Sequence, residues 1–119
     1  MQVKRVYVAT PYAALRCRDG DRADLAKKIA VCECKLLRLL GYEPLSPILW
    51  LDGKYDEDTQ RDEVLAAGLR LLENCDYFYE SKHKDAKDSQ GIKLEREFAK
   101  ANGIPQLKID KKFNVSICL

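Results

Sequence analysis

At 119 residues the chain is long enough for one hydrophobic core and too short for two. Hydrophobic residues make up 46%, and 21 basic against 19 acidic side chains leave a net charge of only +2, which argues against a nucleic-acid binder with a basic stripe. No stretch approaches the roughly eighteen consecutive apolar residues of a membrane span, and Lys4 and Arg5 lead straight into a strand-like segment, so the expectation is a cytoplasmic protein with no membrane partner.

Val3 to Ala9 carries the unbroken run Val6-Tyr7-Val8-Ala9, the pattern of a central parallel strand, and Thr10-Pro11-Tyr12 ends it. Ala13 to Asp24 reads as a loop that turns at Asp19-Gly20-Asp21. Helical period over Ala23 to Leu40 puts Leu25, Ile29, Cys32, Leu36 and Leu39 or Leu40 on one face, with Gly41 as the stop. Tyr42 to Pro47 is a short second strand whose two prolines imply a sheet edge or an early exit. Ile48 to Thr59 reads as a loop carrying Trp50. A helix from about Glu57 to Asn74 follows, with Val64, Leu65, Gly68, Leu69, Leu72 and Cys75 as its buried stripe. Asp76 to Glu80 is a third strand, and Ser81 to Asp88 a polar, mobile stretch. The helix containing Glu95 ends at Gly103, Gln106 to Ile109 is a fourth strand, and Phe113 to Cys118 pairs as a fifth after an Asp110-Lys111-Lys112 turn. The alternation predicts a single-domain three-layer α/β/α sandwich, Rossmann-like or flavodoxin-like, with a small mainly parallel sheet and a C-terminal antiparallel strand.

In such sheets ligands bind beyond the carboxyl ends of the strands. Three loops converge there, Thr10 to Arg22, Ile48 to Arg61 and Ser81 to Gly91, and they hold most of the unusual polar and aromatic residues. Arg16, Arg18 and Arg22 in the first are either a bidentate phosphate grip or solvated surface charge. Trp50 is either a stacking surface for a base or a half-buried loop anchor. The run Lys82 to Asp88 reads as a solvated flexible loop, also placed to act as a lid. Asp76 is expected to serve structure at the start of its strand. Five cysteines and a single histidine, His83, show no zinc spacing and no serine–histidine triad, so reduced, mostly buried thiols and neither metal nor cofactor are expected.

The segment Ser89-Gln90-Gly91-Ile92-Lys93-Leu94-Glu95 is the most informative. Ser89 and Gly91 open a helix where free backbone N–H groups can hold an anion, and Ser89 is equally an ordinary N-cap. Glu95 shares a helix face with Ile92, Phe98 and Ala99. A carboxylate on an apolar stripe has a charged partner or a chemical role. Glu97, beside Lys93, Lys100 and Ala101, looks like a solvated residue. Tyr7 is either plain core or a site residue.

Together, Tyr7-Val8-Ala9-Thr10-Pro11-Tyr12, Asn74-Cys75-Asp76 and Ser89-x-Gly91-x-x-x-Glu95-x-x-x-Ala99 resemble the nucleoside 2-deoxyribosyltransferase superfamily, which includes the deoxynucleoside 5′-monophosphate N-glycosidases. The resemblance spans roughly residues 3 to 109 and is strongest to uncharacterised bacterial and phage members, through Pro11-Tyr12, Pro47, Arg61 and Gly68-Leu69-x-Leu71-Leu72-x-x-Cys75-Asp76. It implies that Glu95 attacks the anomeric carbon of a (deoxy)ribose, that Tyr7 positions it, and that Ser89 helps hold a 5′-phosphate. Transferases of the group tend to carry aspartate at the Ser89 position, so the resemblance leans toward a nucleotide over a free nucleoside. It also implies a homodimer or larger homo-oligomer. The group carries an aspartate eight residues before Asp76 to assist the leaving base; this chain has Gly68 there. Arg61, two turns earlier on the same helix face, is placed as an anion clamp. Two functions follow: cleavage or exchange of an N-glycosidic bond, or non-catalytic binding of a nucleotide-derived ligand in the same pocket.

Overall fold

The computed structural model describes residues 3–56 and 59–119. Strands β1 (Arg5–Ala9), β2 (Glu43–Leu45), β3 (Tyr77–Glu80), β4 (Gln106–Ile109) and β5 (Val115–Cys118) form one sheet in the order β2-β1-β3-β4-β5. β1 runs parallel to both neighbours, with Val6 opposite Pro44 on one side and Tyr77 on the other. β3 and β4 are parallel, and β5 closes the chain antiparallel to β4. The expected α/β sandwich with an antiparallel C-terminal strand is the fold observed.

Both faces of the sheet are covered, which is why β1 is apolar without alternation. On one face Tyr7, Ala9 and Phe78 pack against Leu72, Cys75, Ile92 and Ala99, from or just beyond α3 (Arg61–Leu72) and α4 (Gln90–Ala101). On the other, Val6, Val8, Tyr79, Leu107 and Ile109 pack against Cys34 and Leu37 of α1 (Arg22–Leu39). Each fully buried Val or Leu contributes about 1.5–3 kcal/mol relative to an exposed one. The two long helices that flank loops end alike. Tyr42 N–H donates to Leu37 O and Gly41 N–H to Arg38 O, while Ile104 N–H donates to Ala99 O and Gly103 N–H to Lys100 O. Gly41 (φ 93°) and Gly103 (φ 68°) supply the left-handed residue that this termination requires.

Four expectations need correction. The buried stripe of α1 is Ala26, Ala30, Cys34 and Leu37, while Cys32 and Leu39 are exposed. Ala26 packs on Tyr12 and Leu15 of the loop after β1, Cys34 and Leu37 pack on the sheet, and Leu25, Ile29 and Leu36 fall to the flanks. Only Cys34 and Cys75 of the five free thiols are buried. The second strand stops at Leu45, because Ser46 caps a short helix, α2 (Pro47–Trp50), by accepting the Leu49 N–H at 3.3 Å with proline at its start. α3 runs Arg61–Leu72, and the expected start at Glu57 lies outside the described residues.

The polar run after β3 is not simply a solvated loop. Lys84–Asp88 forms a 3-10 turn around Asp85, which is 1% exposed and accepts the Arg16 N–H at 3.0 Å. The Arg16 N–H holds the Asp85 carboxyl below the usual carboxylate range. Ala86, next to it, joins the core beneath α4. The charged neighbours Lys82, Lys84, Lys87 and Asp88 stay exposed. Asp76 has its expected structural role, since its carboxylate accepts the Arg5 N–H at 2.8 Å while its own N–H donates to Arg5 O. Among the described residues no helix is long and apolar enough to cross a membrane.

Candidate active site

β1 points Tyr7 toward α3 and α4, and the apolar stripe of α4 points Glu95 back at it. The Tyr7 hydroxyl donates a hydrogen bond to Glu95 Oε2, with both residues buried. Ring stacking of Tyr7 on Phe78, with centroids 6.1 Å apart and planes 17° from parallel, fixes the phenol from below. Burial, then the Glu95 charge and its hydrogen bond, raise the Tyr7 pKa well above its ordinary value, while Arg61 opposes the shift. Tyr7 therefore stays protonated at any working pH and remains a donor to the carboxylate.

Gly68 of α3 makes this pair sterically allowed. A Cβ at position 68 would lie 2.8 Å from the Tyr7 hydroxyl oxygen and 3.9 Å from Glu95 Oε2. Any side chain there, an aspartate included, has to displace the phenol. The absence of side-chain atoms at Gly68 and the Tyr7–Glu95 contact are thus one structural fact.

Two hollows meet at this point. An inner pocket of about 30 Å³ is lined by Tyr7, Thr10, Tyr12, Pro47, Ile48, Arg61, Val64, Leu65, Gly68 and Glu95. An outer cleft of about 660 Å³ is walled by Ala13, Ala14, Leu65 and Leu94 and edged by Arg61, Asp88, Ser89, Gln90, Gly91, Lys93 and Glu97. Arg61 and Leu65 belong to both. Arg61 opens α3, its guanidinium lies 5.8 Å over the Tyr12 ring, and a Cβ on Gly91 would come within 2.8 Å of its Nη2. Gly91 therefore leaves room for the guanidinium at the start of α4. Ser89 caps that helix, its hydroxyl accepting the Ile92 N–H at 3.2 Å. Thr10 Oγ1 is buried and has no hydrogen-bond partner among the described residues, an uncommon state for a buried polar atom.

The expected site residues divide accordingly. Tyr7, Thr10, Tyr12, Arg61 and Glu95 come together at the inner pocket, and Ser89 and Gly91 line the cleft outside it. Pro11 is fully buried and lines neither. Arg16 lines neither hollow, and its guanidinium pairs with Asp88 at 2.7 Å and with Asp85 at 3.8 Å. Arg22 is half-buried and lines neither hollow. Trp50 is carried by α2 to a separate hollow beside Arg5 and Glu43, the first residues of β1 and β2, where Lys54 lies 5.5 Å over its ring. It is not available to stack a base beside Glu95.

No protein-family model matches this chain, and no curated protein matches it. Sequence reasoning did not single out Lys93 and Glu97 as cleft residues. Their spacing of one helical turn, on the flank of α4 beside Gly91, is the signal that was available. Glu97 remains exposed as expected, but its position is at the rim of the cleft. Among the described residues no three His, Cys, Asp or Glu side chains cluster as metal ligands.

Proposed function

We propose that this chain cleaves or exchanges the N-glycosidic bond of a nucleotide or nucleoside, with Glu95 as nucleophile. The observation that carries this reading is the buried Tyr7–Glu95 hydrogen bond, in a pocket whose Thr10 and Tyr12 lie just beyond the carboxyl end of β1, beside a cleft of about 660 Å³. It agrees with the roles that the superfamily resemblance gives these two residues. A glutamate oxygen attacks C1′, the C1′–N bond breaks, and the base leaves with the bonding electron pair and takes a proton from solvent. The glycosyl ester on Glu95 is then opened at C1′ by water, which loses a proton, or by a second base. Two inversions give net retention. The transition state is oxocarbenium-like, so a carboxylate held by Tyr7 stabilises it electrostatically. Arg61, Ser89 and the first N–H groups of α4 form the anion-facing side of the cleft.

Gly68 supports a second reading, a nucleotide-binding module without turnover. The described titratable residues lining the inner pocket are Tyr7, Tyr12, Arg61 and Glu95, and none is a good acid for the leaving base. Incubation with nucleosides and deoxynucleoside 5′-monophosphates, following free base by chromatography, separates the two. Base release that disappears in Glu95→Ala is the expected result. Ligand-induced thermal stabilisation without release would establish the binding module instead, and no response to any nucleotide would reject both.

A further inference from the structure

The two hollows differ in size by more than their chemistry allows for. The inner pocket that holds Glu95 measures about 30 Å³, room for about two water molecules. A pentose ring is several times larger. The outer cleft of about 660 Å³ falls within the range of about 300–1,000 Å³ typical of small-molecule sites. A ligand of nucleotide size therefore fits outside, while the carboxylate that would act on it lies inside.

Among the described residues only Arg61 and Leu65 line both hollows, and they sit one helical turn apart on α3. Leu65 is an uncharged branched side chain in the body of the helix. Arg61 is long, unbranched and placed at the first residue of α3. Its guanidinium spans the interval between the Tyr12 ring of the β1 loop and Gly91 at the start of α4. The arginine thus bridges the three elements that converge on Glu95, and a guanidinium pairs readily with a planar anionic group.

We propose that Arg61 is a specificity-determining gate: it closes the way from the outer cleft to Glu95, and an anionic substituent on a ligand in the cleft draws its guanidinium aside and opens it. This deepens the glycosidic reading and rests on it for the identity of the ligand. A neutral nucleoside offers the guanidinium nothing in exchange for the interactions that hold it between Tyr12 and Gly91, and stays outside. A 5′-phosphate monoester does, so the charge that anchors the ligand also admits its sugar. Discrimination then comes from excluding the neutral ligand as well as from attracting the charged one.

The test measures binding of a deoxynucleoside 5′-monophosphate and of the matching deoxynucleoside by calorimetry on the full chain, beside base release from each. In the wild type the monophosphate binds at least about tenfold more tightly. Arg61→Ala brings the two ligands to within about threefold of each other because the neutral ligand gains affinity as the charged one loses it. Arg61→Gln, which keeps bulk without charge, loses the preference for the monophosphate with no gain for the nucleoside, and carries the test if Arg61→Ala does not fold. An Arg61→Ala protein that only loses the monophosphate, with the nucleoside unchanged or weaker, would overturn the gate and leave a simple clamp. A preference that survives in Arg61→Gln would overturn it too. The expected binding pattern without base release would reject the glycosidic reading and keep the gate, whereas binding of neither ligand would reject both.

Discussion

The sheet carries a tyrosine–glutamate pair on each face, fully buried on the α4 face and half-buried on the α1 face. On the α4 face Tyr7 donates to Glu95, with Gly68 leaving room, Thr10 and Arg61 beside it, and an open cleft one residue away. On the α1 face Tyr79 donates to Glu33 Oε2 at 3.3 Å, and the same oxygen accepts the Lys82 N–H at 3.0 Å. Glu33 thus fastens the end of β3 to α1, which is a structural task. Burial raises the pKa of Glu33 as it does that of Tyr79. A Tyr–Glu pair with a perturbed titration is therefore not by itself an active site. The difference lies in what adjoins it: a glycine hollow, an arginine that lines both hollows and a cleft of about 660 Å³.

That contrast is best broken by paired substitutions. Glu95→Ala should lower base release by about 10³-fold or more, as loss of a nucleophile does, whereas Glu33→Gln should leave it within about threefold, both read by chromatography of free base. Tyr7→Phe removes a donor from a buried carboxylate and should cost about 1–3 kcal/mol, while Tyr79→Phe leaves Glu33 its Lys82 N–H and should cost about 0.5–1.5 kcal/mol. Denaturant unfolding of the two variants gives the comparison directly. Gly68→Ala sets two effects against each other: helix propensity favours alanine by about 1 kcal/mol, and the contact with Tyr7 opposes it by about 1–3 kcal/mol. The expected sum is a lowered unfolding midpoint and a drop in base release of about tenfold, one unit of log rate, because the phenol is pushed off Glu95.

The smallest effect is a pH slope. Glu33 has a raised folded pKa, so the folded state holds its proton more tightly than the unfolded state. Its contribution is free of penalty below the ordinary value of 4.5 and declines as pH rises from there through the raised folded value. Asp85 has the opposite sign. Its stabilisation is present above the ordinary value of 3.8 and is lost as pH falls through the lowered folded value. Thermal unfolding from pH 3 to 8 should show a flatter alkaline side in Glu33→Gln and a smaller acid-side loss in Asp85→Asn, with Asp110 supplying part of what remains. Neither change should alter the pH dependence of base release.

What the sequence made legible follows from how local each signal is. The unbroken run Val6 to Ala9 marked the central strand, and one misplaced carboxylate on an apolar helix stripe marked Glu95. The Tyr7–Glu95 contact came only with the superfamily resemblance, because the two residues lie far apart in the chain. The α1 face was misjudged because leucines outweigh alanines in a hydrophobic pattern, while half of the buried face is the small pair Ala26 and Ala30. Asp85 was hidden among exposed charges of the same loop, since nothing local distinguishes the one aspartate that Arg16 N–H draws inward. Trp50 was misplaced for a signal that was present: Ser46-Pro47 is a helix start, and reading it would have turned the tryptophan away from the site. The seats of Tyr7 at Gly68 and Arg61 at Gly91 are contacts between elements and have no local signature.

The central claim is that Glu95 attacks the anomeric carbon. Rapid acid quench of the full chain with a deoxynucleoside 5′-monophosphate, followed by peptide mass mapping, tests it most directly. The account predicts a deoxyribosyl 5′-phosphate mass on the peptide that contains Glu95, formed with release of free base and absent in Glu95→Ala. Base release accompanied by the same mass on a different side chain, or undiminished in Glu95→Ala, would contradict it.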